Sequence, residues 1–414
     1  MMQIFWRILL GSCLLLQVLP SVRGYYFDAG MRWQYILLFA FLVAYLASPL
    51  CAVLAQRLNI MDRPDMRKTH DHATPLLGGL AVFIALNAAL FMNGVFMPGM
   101  VELMLSGALL FFIGLWDDVR TLPPLLRLVA QVVAALFVIV FGGIHLTVFT
   151  GGEWALWLNI PLTLIWIVGL TNAMNFFDGI DGLAAGLSIL AALFLGILAF
   201  KTEQPALGWL AVSIAGACMG FLPYNFIFGK SALLFLGDAG STYLGFMLGG
   251  LAVFGEWSST SHFVSLTAPM LIFGVLIFDM VYVTLSRIKN QRVWNIFKPM
   301  ATAGRDHLHH RLLFMGFARK EAAFAIFTIS VCFGVSALIV MDGEFEDALL
   351  GLLQAGLILA VIVALMWKGR DVPGRRKIDP CAPKVRFERH VHLRPLDVDV
   401  APRPRKKNSS DIPQ

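Results

Sequence analysis

The feature that most constrains this chain is a succession of long apolar runs separated by short polar loops. A helix crossing about 30 Å of hydrocarbon needs roughly 20 mostly apolar residues, and about eleven runs here approach that length. They cover approximately residues 34–55, 76–92, 101–116, 125–143, 156–174, 183–200, 207–226, 242–254, 265–285, 322–340 and 348–367. Inside a bilayer each backbone N–H and C=O must be satisfied without water, and an α-helix does this within one segment. The chain is therefore read as all-α and polytopic, with about eleven transmembrane helices. Composition agrees, since 58% of the 414 residues are hydrophobic and only 14% are charged. That is far more apolar than the core of a soluble domain requires.

Three segments follow from this reading. Residues 31–367 form the transmembrane domain. Residues 1–30 hold Arg7, an apolar stretch from Ile8 to Val18, and then Ser21, Arg23 and Gly24. They read either as a signal-like segment or as a stretch ahead of a true start at Met31. Residues 368–414 are rich in Pro and Arg without an apolar period, so a disordered basic tail skimming anionic headgroups is expected. Cys13, Cys51, Cys218, Cys332 and Cys381 are scattered, with no CxxC and no metal-ligand spacing.

The net charge of +6 is a matter of orientation and implies no nucleic-acid partner. Counting from the first long run, alternate loops are nearly devoid of basic residues, Lys201 excepted. The opposite set holds Arg57, Arg63, Arg67, Lys68, Arg120, Lys230 and a dense stretch from Arg287 to Lys320. By the positive-inside rule those loops and the C-terminus are cytosolic.

The loops that collect the basic residues also collect the acids and histidines. They contain Asp117-Asp118, then Asn175-Phe-Phe-Asp178-Gly-Ile-Asp181-Gly182, Phe235-Leu-Gly-Asp238-Ala-Gly-Ser241 and Arg305-Asp306-His307-Leu-His309-His310-Arg311. Asp117 beside Asp118, and Asp178 one helical turn from Asp181, are like charges that repel unless a cation lies between them. Carboxylate and phosphate oxygens suit Mg²⁺, with Mn²⁺ as a substitute, better than zinc. Each acid taken alone reads equally as a helix cap or as the partner of a nearby Arg. The histidine loop reads as a phosphate-binding patch, a solvated loop or, least well, a zinc site. Gly237 and Gly240 flank Asp238 where a helix should begin, which turns backbone N–H groups toward an anion. Phe235 reads as a stacking platform for a base or as one more apolar aromatic.

Together these motifs resemble the polyprenyl-phosphate N-acetylhexosamine-1-phosphate transferases, over about residues 62–317. Further marks are Asp62-Arg-Pro-Asp65, Arg67-Lys68-Thr-His70 and Gly78-Gly79. The resemblance implies that Asp238 is the main Mg²⁺ ligand, with Asp117 and Asp118 at the metal and the prenyl phosphate. It implies that Asn175, Asp178 and Asp181 serve the nucleotide and that Phe235 stacks on uracil. His307, His309, His310, Arg305 and Arg311 would hold the diphosphate and sugar, while Lys68 and His70 would reach the phosphates. His-Leu-His-His-Arg resembles the branch using UDP-N-acetylglucosamine or a related UDP-N-acetylhexosamine. Leu76-Leu77 and the stretch Ser231 to Leu234 depart from the family pattern. The implied reaction moves the sugar 1-phosphate to undecaprenyl phosphate without inversion and releases UMP, and a homodimer is the implied assembly. Two other classes fit parts of the pattern: an intramembrane prenyltransferase, which would release pyrophosphate, and a secondary transporter, whose acids would lie near the bilayer midplane.

Overall fold

In the computed structural model the described residues are 2–62, 73–258, 261–289 and 307–368. Lys68, His70 and Arg305 of the expected site lie outside them, as does the tail beyond residue 368. The helices run in chain order: α1 (Met2–Val18), α2 (Pro20–Asp28), α3 (Arg32–Arg57), α4 (Gly78–Met92), α5 (Met100–Val119), α6 (Pro124–Gly142) and α7 (Glu153–Phe177). They continue as α8 (Leu183–Lys201), α9 (Pro205–Asn225), α10 (Gly237–Phe254), α11 (His262–Ile272), α12 (Gly274–Lys289), α13 (Leu308–Phe314), α14 (Arg319–Val340) and α15 (Phe345–Lys368).

Each of the eleven expected runs is helical, but they are not equivalent. Among the described residues eight helices are long and apolar enough to span a bilayer, or up to ten if each of two bent pairs counts as one span. Helix α4 has only 15 residues. Helix α10 begins with Gly-Asp-Ala-Gly-Ser-Thr, a polar first turn that dilutes its apolar character. The ninth expected span is two helices, α11 and α12, meeting at 78°. Pro269 within α11, unable to donate a backbone hydrogen bond, and Gly274 just past the break weaken the helix there. The segment before Met31 is also helical, α1 and α2 meeting at 74°.

Helix α10 is the axis of the bundle. It packs against α4, α5, α7, α8 and α9, and nearly all its residues are buried, including Tyr243 and Phe246. A helix apolar on every side, as α10 is beyond its first turn, belongs in a protein interior. Helices α3 and α9 are held close by Gly216 and Gly220, where an added Cβ would collide with the carbonyl oxygens of Leu37 and Phe41. Small residues four apart let membrane helices approach at the backbone.

The only strands among the described residues are β1 (Met61–Asp62) and β2 (Thr74–Pro75), an antiparallel pair joining the two ends of the segment that holds Lys68 and His70. Pro75 carbonyl accepts the Phe235 N–H at 2.9 Å, and the Phe235 carbonyl accepts the Gly78 N–H at 2.9 Å. This pair is thus fastened to the approach to α10.

Candidate active site

The site is assembled from helix ends. Asp117 and Asp118 lie in the last turn of α5, Asp178 closes α7, and Asp238 lies in the first turn of α10. Asp118 turns both oxygens onto α10, accepting the Asp238 N–H at 2.8 Å and the Ala239 N–H at 3.1 Å. It thereby caps α10 from another helix, satisfying two N–H groups that have no partner within the helix and placing negative charge at its positive end. The left-handed backbone at Gly237 (φ +78°) sets the turn that aims them.

The Asp238 carboxylate accepts from Asn175 Nδ2 at 3.0 Å, and the same amide donates to Ser241 Oγ at 3.0 Å. Arg127, on α6, bridges two acids: its Nη1 lies 2.7 Å from Asp117 Oδ2 and 3.3 Å from Asp238 Oδ2. The other oxygen of the buried Asp117 accepts the Leu122 N–H at 2.6 Å. Asp117 therefore does pair with a nearby Arg and Asp118 does cap a helix, the two roles that each acid taken alone allowed.

Asp178 and Asp181 do not share a helix turn, which corrects the expectation from their spacing. Both sit in the turn between α7 and α8, where Gly182 adopts a left-handed φ of +76°. Asp181 accepts the Ala232 N–H at 3.1 Å, which ties this turn to the loop leading to Phe235. The Asp178 carboxyl sits well above the usual carboxylate range, raised first by desolvation and then by the charges of Asp238, Asp118 and Asp181, with a backbone hydrogen bond from Gly237 acting the other way.

Where a histidine loop was expected, His307 caps α13 and His309, His310 and Arg311 lie within that short helix, which packs against the end of α7. His307 Nδ1 lies 2.5 Å from Asp279 Oδ2, and Asp279 Oδ1 accepts the Leu308 N–H at 2.6 Å. The His307 ring stacks on Phe176 at 4.7 Å, and His309 packs on Phe177 at 5.6 Å and on His310 at 4.2 Å. His309 is held well below the ordinary histidine pKa by desolvation and then by His310 and His307, so it is neutral near pH 7. Its two ring nitrogens and His307 Nε2 are buried without a hydrogen-bond partner among the described residues. Buried polar atoms in that condition are costly, and ligand oxygens would satisfy them. Arg311 instead lies over the Tyr282 ring at 4.6 Å and donates to its hydroxyl at 3.0 Å.

The donor set offers hard oxygen ligands of the kind Mg²⁺ takes. Among the described residues, however, no three His, Cys, Asp or Glu side chains gather closely enough to hold a metal by themselves. The charge of Asp238 raises the cost of ionising Asp178, and all four carboxylates already meet donors: Asp117 from Leu122 and Arg127, Asp118 from two backbone N–H groups, Asp178 from Gly237, and Asp238 from Asn175 and Arg127. A cation would thus have to draw on Asp238 and the acids around it, Asp117, Asp118 and Asp178, with phosphate oxygens or water completing the shell.

Arg127 and Asp279 were missed by sequence reasoning. Asp279 had a visible signal, because an acid within an apolar run is expensive unless paired and marks a functional position. Arg127 lay near the start of the apolar run 125–143 and was passed over as part of a span.

A family model described as glycosyl transferase family 4 matches residues 100–256. The chain is 31% identical over 309 residues to the probable undecaprenyl-phosphate N-acetylglucosaminyl 1-phosphate transferase of Bacillus subtilis, covering 72% of this chain and 84% of that one. It is 30% identical over 369 residues to a decaprenyl-phosphate N-acetylglucosaminephosphotransferase of Mycobacterium tuberculosis, covering 80% and 89%. A third relative, the undecaprenyl-phosphate alpha-N-acetylglucosaminyl 1-phosphate transferase of Salmonella typhi, is 29% identical over 282 residues, covering 67% and 75%.

Proposed function

Since this chain belongs to glycosyl transferase family 4, we propose that it transfers N-acetylglucosamine 1-phosphate from the UDP-sugar to undecaprenyl phosphate, releasing UMP. The product, undecaprenyl-diphosphate-sugar, would begin the lipid-linked assembly of an envelope polysaccharide. The carrying observation is the convergence on Asp238 of Asp118, Asn175 and Arg127, with Asp178 near enough to feel its charge. The relatives' names favour the sugar and the lipid.

Bringing one phosphate onto another concentrates negative charge, so such a reaction is governed by positioning and electrostatics. Mg²⁺ held at Asp238, with Asp117, Asp118 and Asp178 close by, would neutralise phosphate oxygens there. Arg127 keeps Asp117 and Asp238 at a fixed spacing, and Asn175 fixes the rotamer of Asp238. The buried His309 ring would offer its one N–H to the diphosphate oxygens with His307 beside it, and Asp181 with Phe235 would hold the uracil. The acceptor's isoprenoid stays in the bilayer while the nucleotide stays in water, so a site built from helix ends can serve both. The Lys and Arg distribution supports a cytosolic side for this face and for the C-terminus.

The test is UMP release by purified protein given undecaprenyl phosphate, UDP-N-acetylglucosamine and Mg²⁺, with Asp238→Asn as control. Lipid-dependent, chelator-sensitive UMP that disappears in the control is expected. A folded protein that releases none from UDP-linked N-acetylglucosamine, N-acetylgalactosamine or the muramoyl-pentapeptide would overturn the proposal.

A further inference from the structure

Asp279 stands apart from the acids that gather at Asp238. It lies on α12, within the apolar run 265–285, and is 1% exposed. Both its oxygens are committed to the start of α13, one to His307 Nδ1 at 2.5 Å and one to the Leu308 N–H at 2.6 Å. A carboxylate only accepts hydrogen bonds, so the His307 nitrogen facing it must carry the proton. In the neutral ring the other nitrogen, Nε2, is then bare. Nε2 is buried and without a partner among the described residues. The ring is also pressed on Phe176, next to Asn175 and two residues before Asp178. Three constraints thus fix one imidazole: a carboxylate behind it, a stacked face, and a backbone N–H pinned to the same carboxylate.

We propose that Asp279 is a positioning residue of the transfer reaction, fixing His307 with its proton on Nδ1 and leaving Nε2 bare to accept the proton that the attacking phosphate hydroxyl gives up as its oxygen bonds to the transferred phosphorus and UMP departs. This rests on the transferase reading of the site. Asp279 touches no substrate in this role and acts through the ring it orients, as a carboxylate does behind a catalytic or metal-binding histidine.

A purely structural Asp279 would do no more than anchor the start of α13, and Asp279→Asn separates the two roles. The asparagine carbonyl can still accept the Leu308 N–H, which keeps the anchor. Its amide N–H₂ then faces His307 Nδ1, and donor meets donor unless the ring moves its proton to Nε2. The experiment combines ring-nitrogen NMR at pH 8 on ¹⁵N-histidine-labelled protein in lipid, kinetics of UMP release and thermal unfolding. The His307 signal is assigned by its loss in His307→Gln.

The expected result is Nδ1–H with bare Nε2 in the wild type and the reverse in Asp279→Asn. Unfolding should be little changed, KM for UDP-N-acetylglucosamine should stay within about twofold, and kcat should fall by roughly 10²-fold or more, the usual scale for a lost proton acceptor. Bare Nδ1 in the wild type overturns the proposal whether or not the variant folds. So does a variant with the reversed tautomer and unchanged kcat, or one whose loss lies only in unfolding or KM. A folded wild type that releases no UMP counts against the transferase reading, while the ring-nitrogen measurement reports on Asp279 independently.

Discussion

At the scale of single residues the site stores unfavourable electrostatics. Asp178 faces Asp238, Asp118 and Asp181, and desolvation adds to their repulsion. Its folded pKa therefore lies above the unfolded value of about 3.9. Such a shift stabilises the fold at pH below the unfolded value, and that contribution is lost as pH rises through the folded value. Without divalent metal, unfolding temperature should decline as pH climbs upward from about 4. Asp178→Asn should flatten this decline and raise the neutral-pH Tm by at least about 2 °C, while abolishing UMP release. Calorimetry across pH on both proteins checks this, and a variant less stable than wild type at pH 7 would contradict it. The acids and histidines themselves were legible in the sequence because they stand in compact local motifs. Their partners were not: Arg127 reaches Asp238 across 111 positions and Asp279 reaches His307 across 28, separations that no local pattern encodes.

At the scale of elements, the close approach of α5 to α10 sets where the carboxylates meet. An added Cβ at Gly114 would lie 2.6 Å from Ala239 Cα and 2.9 Å from Ala239 N, both backbone atoms that cannot swing aside. Gly114→Ala should cost about 1–3 kcal/mol of stability, as overpacking does. It should also push the first turn of α10 off Asp118, lowering kcat at least about tenfold, since misplacement by an ångström is costly. Thermal unfolding and UMP release measured together check the pair of effects, and wild-type kcat would show that α10 is not held by this contact. The helices of the eleven apolar runs were legible from apolar length alone, including the two shorter ones, whereas α13 was read as a loop because its seven residues hold two histidines and an arginine and show no apolar run. The break between α11 and α12 was not, because Pro and Gly are tolerated within membrane helices and the apolar run continues through both. The turn at Asp178 was likewise misread, because three residues separate two acids on a helix and in a tight turn alike.

For the whole molecule, charge distribution sets orientation. A cysteine-free variant carrying one new cysteine at Ser410 should react with a membrane-impermeant maleimide only after the cytoplasmic membrane is opened, whereas one at Glu203, between α8 and α9, should react in intact spheroplasts. Reaction in the opposite order would invert the proposed topology and with it the face on which the nucleotide arrives. Helix α10 has a consequence at this scale too. Because its neighbours enclose it, it has almost no boundary with lipid, and bilayer thickness or lateral tension is felt by α6, α7 and α15, whose outer faces are exposed. The first turn of α10, with Asp238, is then shielded from strain in the bilayer though open to water, so turnover should depend on acyl-chain length through delivery of the acceptor and hardly at all through the shape of the catalytic centre.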